Sequence, residues 1–495
     1  MPSSPLAEMW LRGVAANPAA PSEVLLRLLA PAAGPARKIL CEERGLPPDV
    51  IDAVIAHPER AVRRGLARNR HVSPGQRGRL VNDPDAFVRN ALASGPRPRV
   101  GRVDALPDDV LEILLTRQDD AGHGQLLTAD EIRQELEVSG QISQAFRCAM
   151  PEHENPELRR RAAGLWLWLT PLQRDALLAD PVPAVREAAR VHSRVLDPEA
   201  MEADLPERDC HGRSIILVNY AVSRSVAEAC LASGRDLWSL AHNRHTPADV
   251  VARLARDPDP VVRQRVAGRA DLDPSVLAEL ANDPEDAVRT RALVHPLPRT
   301  WAQRDAIDQV IGRTAEVIGP IAERRTTDTD WYAACAASAH PLLRRVAATC
   351  SRLPEELVNR LADDPDPEVR HLLAYHHPCA PPETILDAFL ATPRQRPHLL
   401  ALPGFPRTGL QLFLDHEDPE VRALAAADST WDQPPVRLLT DPEASVRGAA
   451  AANPLLPPDQ VSALLAVPDT AEGAAANPIL PAERLHELLT ASGLT

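Results

Sequence analysis

Short apolar stripes at helical spacing recur along the chain, and each follows a proline. After Pro458, the apolar residues Val461, Leu464 and Leu465 come at the third, sixth and seventh positions. The same spacing after Pro48, Pro274 and Pro382 gives the stripes Ile51, Val54 and Ile55, then Leu277, Leu280 and Ala281, then Ile385, Ala388 and Phe389. Apolar residues three and four positions apart lie on one face of a helix. The pattern therefore predicts many short helices that each bury one stripe.

A second phrase, Asp-Pro followed by Val-Arg, precedes another set of stripes. In TDPEASVRGAAAANP the stripe consists of Val446, Ala449 and Ala450. Aspartate is a common N-cap and proline suits the first helical position, so we expect the Asp-Pro pair to begin a helix. We expect Asn453-Pro454 to end it, because proline disfavours a helical conformation in the residue before it. The Asp-Pro pair recurs at Asp83, Asp180, Asp257, Asp283, Asp364 and Asp441.

The arginine of Val-Arg marks a regular period. Arg63 and Arg89 are 26 residues apart, as are Arg263 and Arg289. A period of about 25 to 27 residues is typical of a solenoid, because neither helix of such a repeat can bury its stripe without a stacked neighbour. We therefore predict an all-α fold, an α-solenoid of two-helix repeats. The arginine is predicted to be structural, paired with an aspartate or a carbonyl group of a neighbouring repeat.

Two segments carry a resemblance to a known family. NPLLPPDQVSALLAVPDTAEGAAANPILPAERLHELL and DPDPVVRQRVAGRADLDPSVLAELANDPEDAVR resemble the leucine-rich repeat variant family, and are more distantly similar to HEAT-type repeats. The resemblance covers roughly 70 to 80% of the chain. It implies alternating α and 3₁₀ helices in a right-handed superhelix, and it is specific to a structure, not to an activity. A relative in that family carries an iron–sulfur module with clustered cysteines. Only Cys41 lies in the first hundred residues of this chain, so no cofactor is predicted.

The repeat register divides the chain into five predicted segments. These are N-terminal repeats in 1–100, an irregular insert or degenerate repeat in 101–157, central repeats in 158–296, degenerate repeats in 297–343 and C-terminal repeats in 344–495. The insert contains a capping-box sequence, from Thr128 to Glu131. The register within the second and fourth segments stays open.

Composition narrows the class of protein. The formal net charge is −14, so the chain is a poor candidate for nucleic acid, whose affinity comes mainly from phosphate neutralisation. Lys38 is the only lysine, which is typical of a high-GC bacterial genome. The seven cysteines are scattered and never form C-x-x-C, as expected of reduced thiols in the cytoplasm. We expect a soluble, cytoplasmic protein, because the sequence has neither a signal peptide nor an apolar run of membrane length.

Six residues are the best candidates for binding a partner. Two tryptophans replace the usual Asn-Pro, and a third precedes a basic stretch; tryptophan and arginine are enriched at binding hot spots. The alternative is that the tryptophans fill a wider core where the solenoid changes curvature. The candidates are Trp166, Trp168, Trp238, His242, Arg244 and His245.

No catalytic or metal site is predicted. In HLLAYHHPCAPPE, the adjacent histidines His376 and His377 cannot easily supply two ligands to one ion. Cys210 and His211 suggest a Cys–His pair, but adjacent side chains generally project apart. The sequence has no phosphate-binding glycine loop and no recognised hydrolase motif.

The leading functional prediction is a non-catalytic scaffold or adaptor that binds a protein or peptide partner along an extended curved surface. An acidic chain favours a basic or neutral partner. Two alternatives stay open. One is a nucleic-acid-binding HEAT-like module with an arginine-lined concave face. The other is an enzyme, or an accessory protein of one, with a site around residues 205 to 245 that includes Cys210, His211 and His242. No oligomeric state is predicted.

Overall fold

The computed structural model describes residues 4–96, 103–118, 127–295, 299–315 and 329–494. In these residues all regular secondary structure is helical, and no β-strand is found. Short helices pack on the corresponding helices of neighbouring repeats. The predicted all-α solenoid is therefore confirmed.

The chain forms two compact units, which are described separately. Unit 1 combines two segments, Met1–Ser143 and Pro378–Thr495, and unit 2 is the segment Gln144–His377 between them. The five segments predicted from the repeat register are divisions of a different kind and stay predictions.

Unit 1 is built from sixteen α-helices within its described residues. They are α1 (Pro5–Ala16), α2 (Ser22–Arg27), α3 (Arg37–Glu42), α4 (Pro48–Ile55), α5 (Arg60–Ala67), α6 (Pro74–Gly78), α7 (Ala86–Ser94), α8 (Asp108–Thr116), α9 (Ala129–Ser139), α27 (Pro382–Ala391), α28 (Arg396–Leu399), α29 (Pro419–Ala426), α30 (Ala444–Ala451), α31 (Pro458–Leu464), α32 (Pro468–Ala476) and α33 (Ala482–Ala491). Four 3₁₀ helices accompany them, at Pro31–Ala36, Pro393–Gln395, Gln411–Phe413 and Val436–Thr440.

Unit 2 is built from seventeen α-helices within its described residues. They are α10 (Gln144–Ala149), α11 (Pro156–Ala162), α12 (Pro171–Leu178), α13 (Pro183–Ser193), α14 (Pro198–Asp204), α15 (His211–Asn219), α16 (Arg224–Ser233), α17 (Leu237–His242), α18 (Ala248–Leu254), α19 (Pro260–Ala267), α20 (Pro274–Leu280), α21 (Asp286–Val294), α22 (Trp301–Val310), α23 (Thr329–Ala336), α24 (Pro341–Ala348), α25 (Glu355–Ala362) and α26 (Pro367–His376). Three 3₁₀ helices lie at Met150–Glu152, Ala163–Trp168 and Arg194–Leu196.

The alternation of α and 3₁₀ helices that the family resemblance implies is not general. Helices α18, α19, α20 and α21 follow one another as α-helices. The predicted capping box is confirmed at the start of α9, where the Thr128 hydroxyl accepts a hydrogen bond from the Glu131 N–H (3.2 Å) and the Glu131 carboxylate accepts one from the Thr128 N–H (2.7 Å).

The six Asp-Pro pairs singled out in the sequence do not begin helices, so for them that prediction was wrong; Asp-Pro does begin a helix at other positions, such as Asp273-Pro274. Helix α21 begins at Asp286, three residues after Asp283. One Asp283 oxygen accepts a hydrogen bond from the Glu285 N–H (2.9 Å), and the other accepts one from Arg263 of the preceding repeat (2.7 Å). The carboxylate thus closes a tight turn and joins two repeats, a role that capping preferences within one repeat do not reveal. The same three-residue offset follows Asp83, Asp180, Asp257, Asp364 and Asp441.

The asparagine at the end of the Val-Arg helix joins repeats as well. Helix α30 ends at Ala451, as the Asn453-Pro454 pair predicts. The Asn453 side-chain amide also donates to the carbonyl groups of Ala426 (2.9 Å) and Asp428 (2.7 Å) in the preceding repeat. Buried backbone carbonyls need such donors, so the amide supplies hydrogen bonds that no helix end provides by itself.

This asparagine ladder runs through the join between the two segments of unit 1. Asn477 donates to the carbonyl of Asn453 (2.8 Å), and Asn17, near the other end of the chain, donates to the carbonyl of Asn477 (2.8 Å). Helix α1 packs directly against α32. A Cβ atom on Gly13 would lie 2.2 Å from the Glu472 carbonyl oxygen, so glycine permits this close approach. The repeats of the two segments therefore form one stack.

Candidate functional site

Three arginines of the Val-Arg phrase form bidentate pairs with an aspartate of the next repeat. Arg263 donates through Nε and Nη2 to the two oxygens of Asp283 (2.7 and 3.0 Å), and through Nη1 to the Asp257 carbonyl (2.8 Å). These hydrogen bonds raise the pKa of Arg263 and hold the pKa of Asp283 below its ordinary value. The other two are Arg63–Asp83 and Arg422–Asp441, and Arg159–Asp180 and Arg344–Asp364 form the same bidentate pair at Leu-Arg positions. The prediction of a structural arginine is confirmed.

The intervening arginines of the phrase bind backbone carbonyls of their own repeat. Arg89 donates to the Asp83 carbonyl (2.6 Å), Arg186 to that of Asp180 (2.5 Å), and Arg289 to that of Asp283 (2.6 Å). The five arginines on which an arginine-lined face would depend, Arg63, Arg89, Arg186, Arg263 and Arg289, are thus all engaged inside the array.

A different set of charged and aromatic side chains meets in unit 2, on α17, α19, α21 and α22 and beside them. We call it the arginine–tryptophan cluster. Helices α17, α19 and α21 pack in succession, which brings residues from neighbouring repeats together. The cluster consists of Trp238, His242, Arg244, Arg265, Arg291, His295, Arg299, Trp301, Arg304, Asp305 and Asp308.

Three guanidinium groups of the cluster converge on one carboxylate. Arg265 Nη1 lies 3.4 Å from Asp308 Oδ1, and Arg291 Nη2 contacts the same oxygen. Arg304 Nε lies 3.7 Å from Asp308 Oδ2. Arg304 also pairs with Asp305 (3.2 Å), and two carboxylates cannot neutralise three guanidinium ions, so this part of the cluster carries an excess of positive charge.

Trp301 supports the arginines from one side. The centre of its ring lies 4.7 Å from Cζ of Arg304 and 5.3 Å from Cζ of both Arg244 and Arg269. Guanidinium groups within about 6 Å of an aromatic ring are attracted by its electron-rich face. The tryptophan thus holds together cations that would otherwise repel one another.

Trp238 forms the exposed part of the cluster. Its side chain is 40% exposed, and its ring stacks on that of His242, with ring centres 5.5 Å apart. Arg265 Cζ lies 4.9 Å from the centre of the same ring. Arg304 fixes His242 in turn by donating to its carbonyl (2.7 Å). An exposed tryptophan is therefore held in one orientation by its neighbours.

Burial and like charge shift the pKa values of the cluster. Burial, reinforced by Arg304, lowers the pKa of His242 to about 4. Burial, reinforced by Arg291 and Arg299, lowers the pKa of His295 to about 2. Burial also lowers the pKa of Arg291 to about 10, and nearby arginines add to the effect. At neutral pH the histidines are therefore uncharged and the arginines are cations.

Gly268 makes room for Arg291. A Cβ atom on Gly268 would lie 2.5 Å from Arg291 Nε and 2.9 Å from its Cζ. The φ angle of Gly268 is −84°, which any residue can adopt, so the backbone does not require glycine at this position. The missing side chain serves the close approach of the guanidinium group.

The structure brings together some of the residues predicted from sequence and separates others. Trp238, His242 and Arg244 belong to the cluster, and Arg244 approaches Asp305 at 3.8 Å. His245 lies beside it, and burial together with Arg244 lowers its pKa. Trp166 is buried, as the core-filling alternative expects, whereas Trp168 is 57% exposed.

Several members of the cluster were not predicted from the sequence. Arg265, Arg291 and Arg304 do not occupy the repeated Val-Arg position, and Trp301 begins a segment in which the register stays open. A signal existed, however. The stretches RQRVAGRA and RTRALVH have arginines two residues after the register arginine.

Within the described residues, the structure brings together neither the side chains of the Cys–His alternative nor a set of metal ligands. Cys210 is the N-cap residue of α15 and His211 is its first residue, whereas His242 stacks on Trp238. Among the described residues, no hydrogen bond joins these three side chains. No group of three or more His, Cys, Asp or Glu side chains in the described part of the chain could hold a metal ion.

Comparison with known proteins found no family model and no curated protein that matches the chain. Within the described ranges, no helix is both long enough and apolar enough to cross a membrane.

Proposed function

We propose that the protein is a non-catalytic repeat scaffold that binds a protein or peptide partner, and that Trp238 and Arg244 on unit 2 are its principal contact residues. The observation that carries this proposal is the exposed, fixed ring of Trp238. Tryptophan and arginine dominate binding hot spots, and a side chain that is already ordered loses little entropy when a partner binds.

The α-solenoid supports a scaffold role, because stacked repeats offer an extended surface to a partner. Membership of the leucine-rich repeat variant family and a right-handed superhelix stay predictions. No second function is proposed. The repeat arginines that nucleic acid would need are engaged inside the array, and the side chains for Cys–His chemistry do not meet.

The test is affinity capture from a native lysate, with and without nuclease, followed by mass spectrometry. The bait is the full chain, compared with Trp238→Ala and with Leu412→Ala. Leu412 is the matched control because its side chain is 91% exposed on unit 1, away from the cluster residues in sequence.

We expect a protein that resists nuclease to be recovered by the parent chain and by Leu412→Ala, but not by Trp238→Ala. With the purified partner, Trp238→Ala should raise Kd by at least about tenfold, as truncation of a hot-spot residue does. Equal recovery by all three baits, or recovery of nuclease-sensitive material alone, would contradict the proposal.

A further inference from the structure

The buried end of the arginine–tryptophan cluster has more cationic donors than acceptors. The cluster contains five arginines, at positions 244, 265, 291, 299 and 304, and two aspartates, at positions 305 and 308. Arg299 donates to the Ala267 carbonyl (2.8 Å) and to that of Ala292, and so has neutral partners only. The histidines add no negative charge. The described residues of the cluster therefore leave a surplus of three positive charges in a chain whose net charge is −14.

Several donors in this region have no hydrogen-bond partner among the described residues. Arg291 is 3% exposed and its Nη1 is unpartnered. Arg304 is 4% exposed and its Nε is unpartnered. Both ring nitrogens of His295, which is 5% exposed, are likewise unpartnered. A buried polar group without a partner costs free energy. Several unpartnered donors so close together therefore indicate a place where an acceptor binds.

The three arginines come from three different helices, so their convergence is not a feature of a single loop. Arg265 comes from α19, Arg291 from α21 and Arg304 from α22, and all three lie within 4.0 Å of Asp308. Gly268 lacks the Cβ atom that would displace Arg291. Three helices and a glycine thus hold the guanidinium groups at one point.

We propose that this end of the cluster is a binding site for a small dianion of the phosphate class, held by Arg265, Arg291 and Arg304. Guanidinium groups bind the oxygens of phosphate through paired N–H donors. A dianion with several acceptor oxygens offsets the charge surplus and accepts from the unpartnered donors, whereas a single carboxylate, already present as Asp308, does neither. This site adjoins the exposed ring of Trp238 through Arg265, whose guanidinium group lies over that ring, but the inference holds whether or not a protein partner binds the ring.

The phosphate group could be free or esterified to a larger molecule. The shared chemistry is the phosphoryl dianion, and Arg265 provides the route from solvent because its side chain is 34% exposed while those of Arg291 and Arg304 are buried. Binding should weaken as salt is added, because the attraction is electrostatic.

The test is calorimetric titration of the full chain with inorganic phosphate, at neutral pH and low ionic strength. Arg265→Gln removes one guanidinium group of the site. Arg263→Gln is the matched control, because Arg263 lies two residues away on α19 and pairs with Asp283 instead. Asp308→Asn removes the carboxylate that competes with the anion.

We expect phosphate to bind the parent chain, Arg265→Gln to weaken binding by about tenfold, and Arg263→Gln to leave it unchanged. Asp308→Asn should strengthen binding. A merely structural role would not move the affinity in opposite directions in these two cluster variants, and circular dichroism establishes that each variant is folded.

Acetate and phosphoserine are titrated into the parent chain in the same way. Phosphoserine that binds more tightly than inorganic phosphate assigns an esterified phosphoryl group, and the reverse order assigns a free ion; both support the site. The proposal is overturned if phosphate does not bind the parent chain, if acetate binds as tightly as phosphate, or if Arg263→Gln and Arg265→Gln weaken binding equally. None of these outcomes depends on capture of a protein by Trp238.

Discussion

Arg263 and Arg265 lie two residues apart on helix α19, yet they belong to different kinds of arrangement. Arg263 has one aspartate to itself, in a bidentate pair that recurs along the array. Arg265 shares Asp308 with two other arginines and contacts an exposed tryptophan. The repeated arginine joins repeats, whereas the arginine outside the register belongs to the arginine–tryptophan cluster. The difference teaches that the position of an arginine within the repeat, not its abundance, decides whether it pairs with one aspartate or shares one with other arginines.

The largest expected loss of stability comes from removing the carboxylate of Asp308, which three arginines share. In chloride buffer, Asp308→Asn should lower the free energy of unfolding by about 3 kcal/mol, because it leaves Arg265 and Arg291 without a paired carboxylate among the described residues, while Arg304 keeps Asp305. Urea denaturation measures the change. As a control, Asp415→Asn removes an exposed partner of Arg437 and should cost less than about 0.5 kcal/mol. Equal losses in the two variants would mean that the cluster is not under electrostatic strain.

Removing one repeat pair should have a smaller effect. Asp283→Asn keeps an oxygen for the Glu285 N–H but loses the charge that faces Arg263, so we expect a loss of about 2 kcal/mol in the free energy of unfolding. The double variant Arg263→Gln with Asp283→Asn should lose less than the sum of the two single losses, because the two residues form one interaction. Strict additivity would show that the pair contributes nothing as a pair.

The smallest effect is a dependence on pH that belongs to the cluster. The pKa of His295 is lowered in the folded protein, so the unfolded chain takes up a proton first as the pH falls. The stability that this histidine contributes is complete above its unfolded pKa of about 6.5 and is lost as the pH falls below it. Between pH 7 and pH 6 we expect a loss of about 0.7 kcal/mol from His295, measured by urea denaturation.

His295→Gln should remove that part of the pH dependence, since ordinary carboxyl groups do not titrate in this interval. An unchanged slope in His295→Gln would contradict the assignment.

The sequence was sufficient for the fold because the fold is repetitive. Val446, Ala450 and Val461 are buried as their spacing predicts, whereas Ala449 and Leu464 of the same stripes are half-buried. The role of Asp283 could not be predicted, because capping preferences describe one helix and this carboxylate joins two repeats. The hydrogen bond between Asn17 and Asn477 could not be predicted either, because the two residues are nearly a whole chain apart in sequence.

The candidate site was only partly predictable for a related reason. Trp238, His242 and Arg244 attract notice because they are close together in sequence and unusual in composition. Arg265, Arg291 and Arg304 come from three helices, and each looks like an ordinary surface arginine until the repeats are stacked. The reason for a glycine at position 268 becomes visible only when the guanidinium group of Arg291 is seen packed against it. Local patterns identify the exposed part of the cluster, and only packing identifies its buried part.

The contact between helices α1 and α32 has a consequence for synthesis of the chain. A solenoid that grows from the ribosome can add each new repeat to the one before it, and repeat proteins usually protect the first with a polar cap. Helix α1, whose buried apolar residues include Leu11 and Val14, packs on α32 as well as on α3 and the 3₁₀ helix Pro31–Ala36. The face of α1 that α32 covers therefore stays open until translation has passed residue 476. The closing of this stack waits for the synthesis of every residue between α1 and α32, and a chaperone that shields short apolar helices would have that interval in which to act.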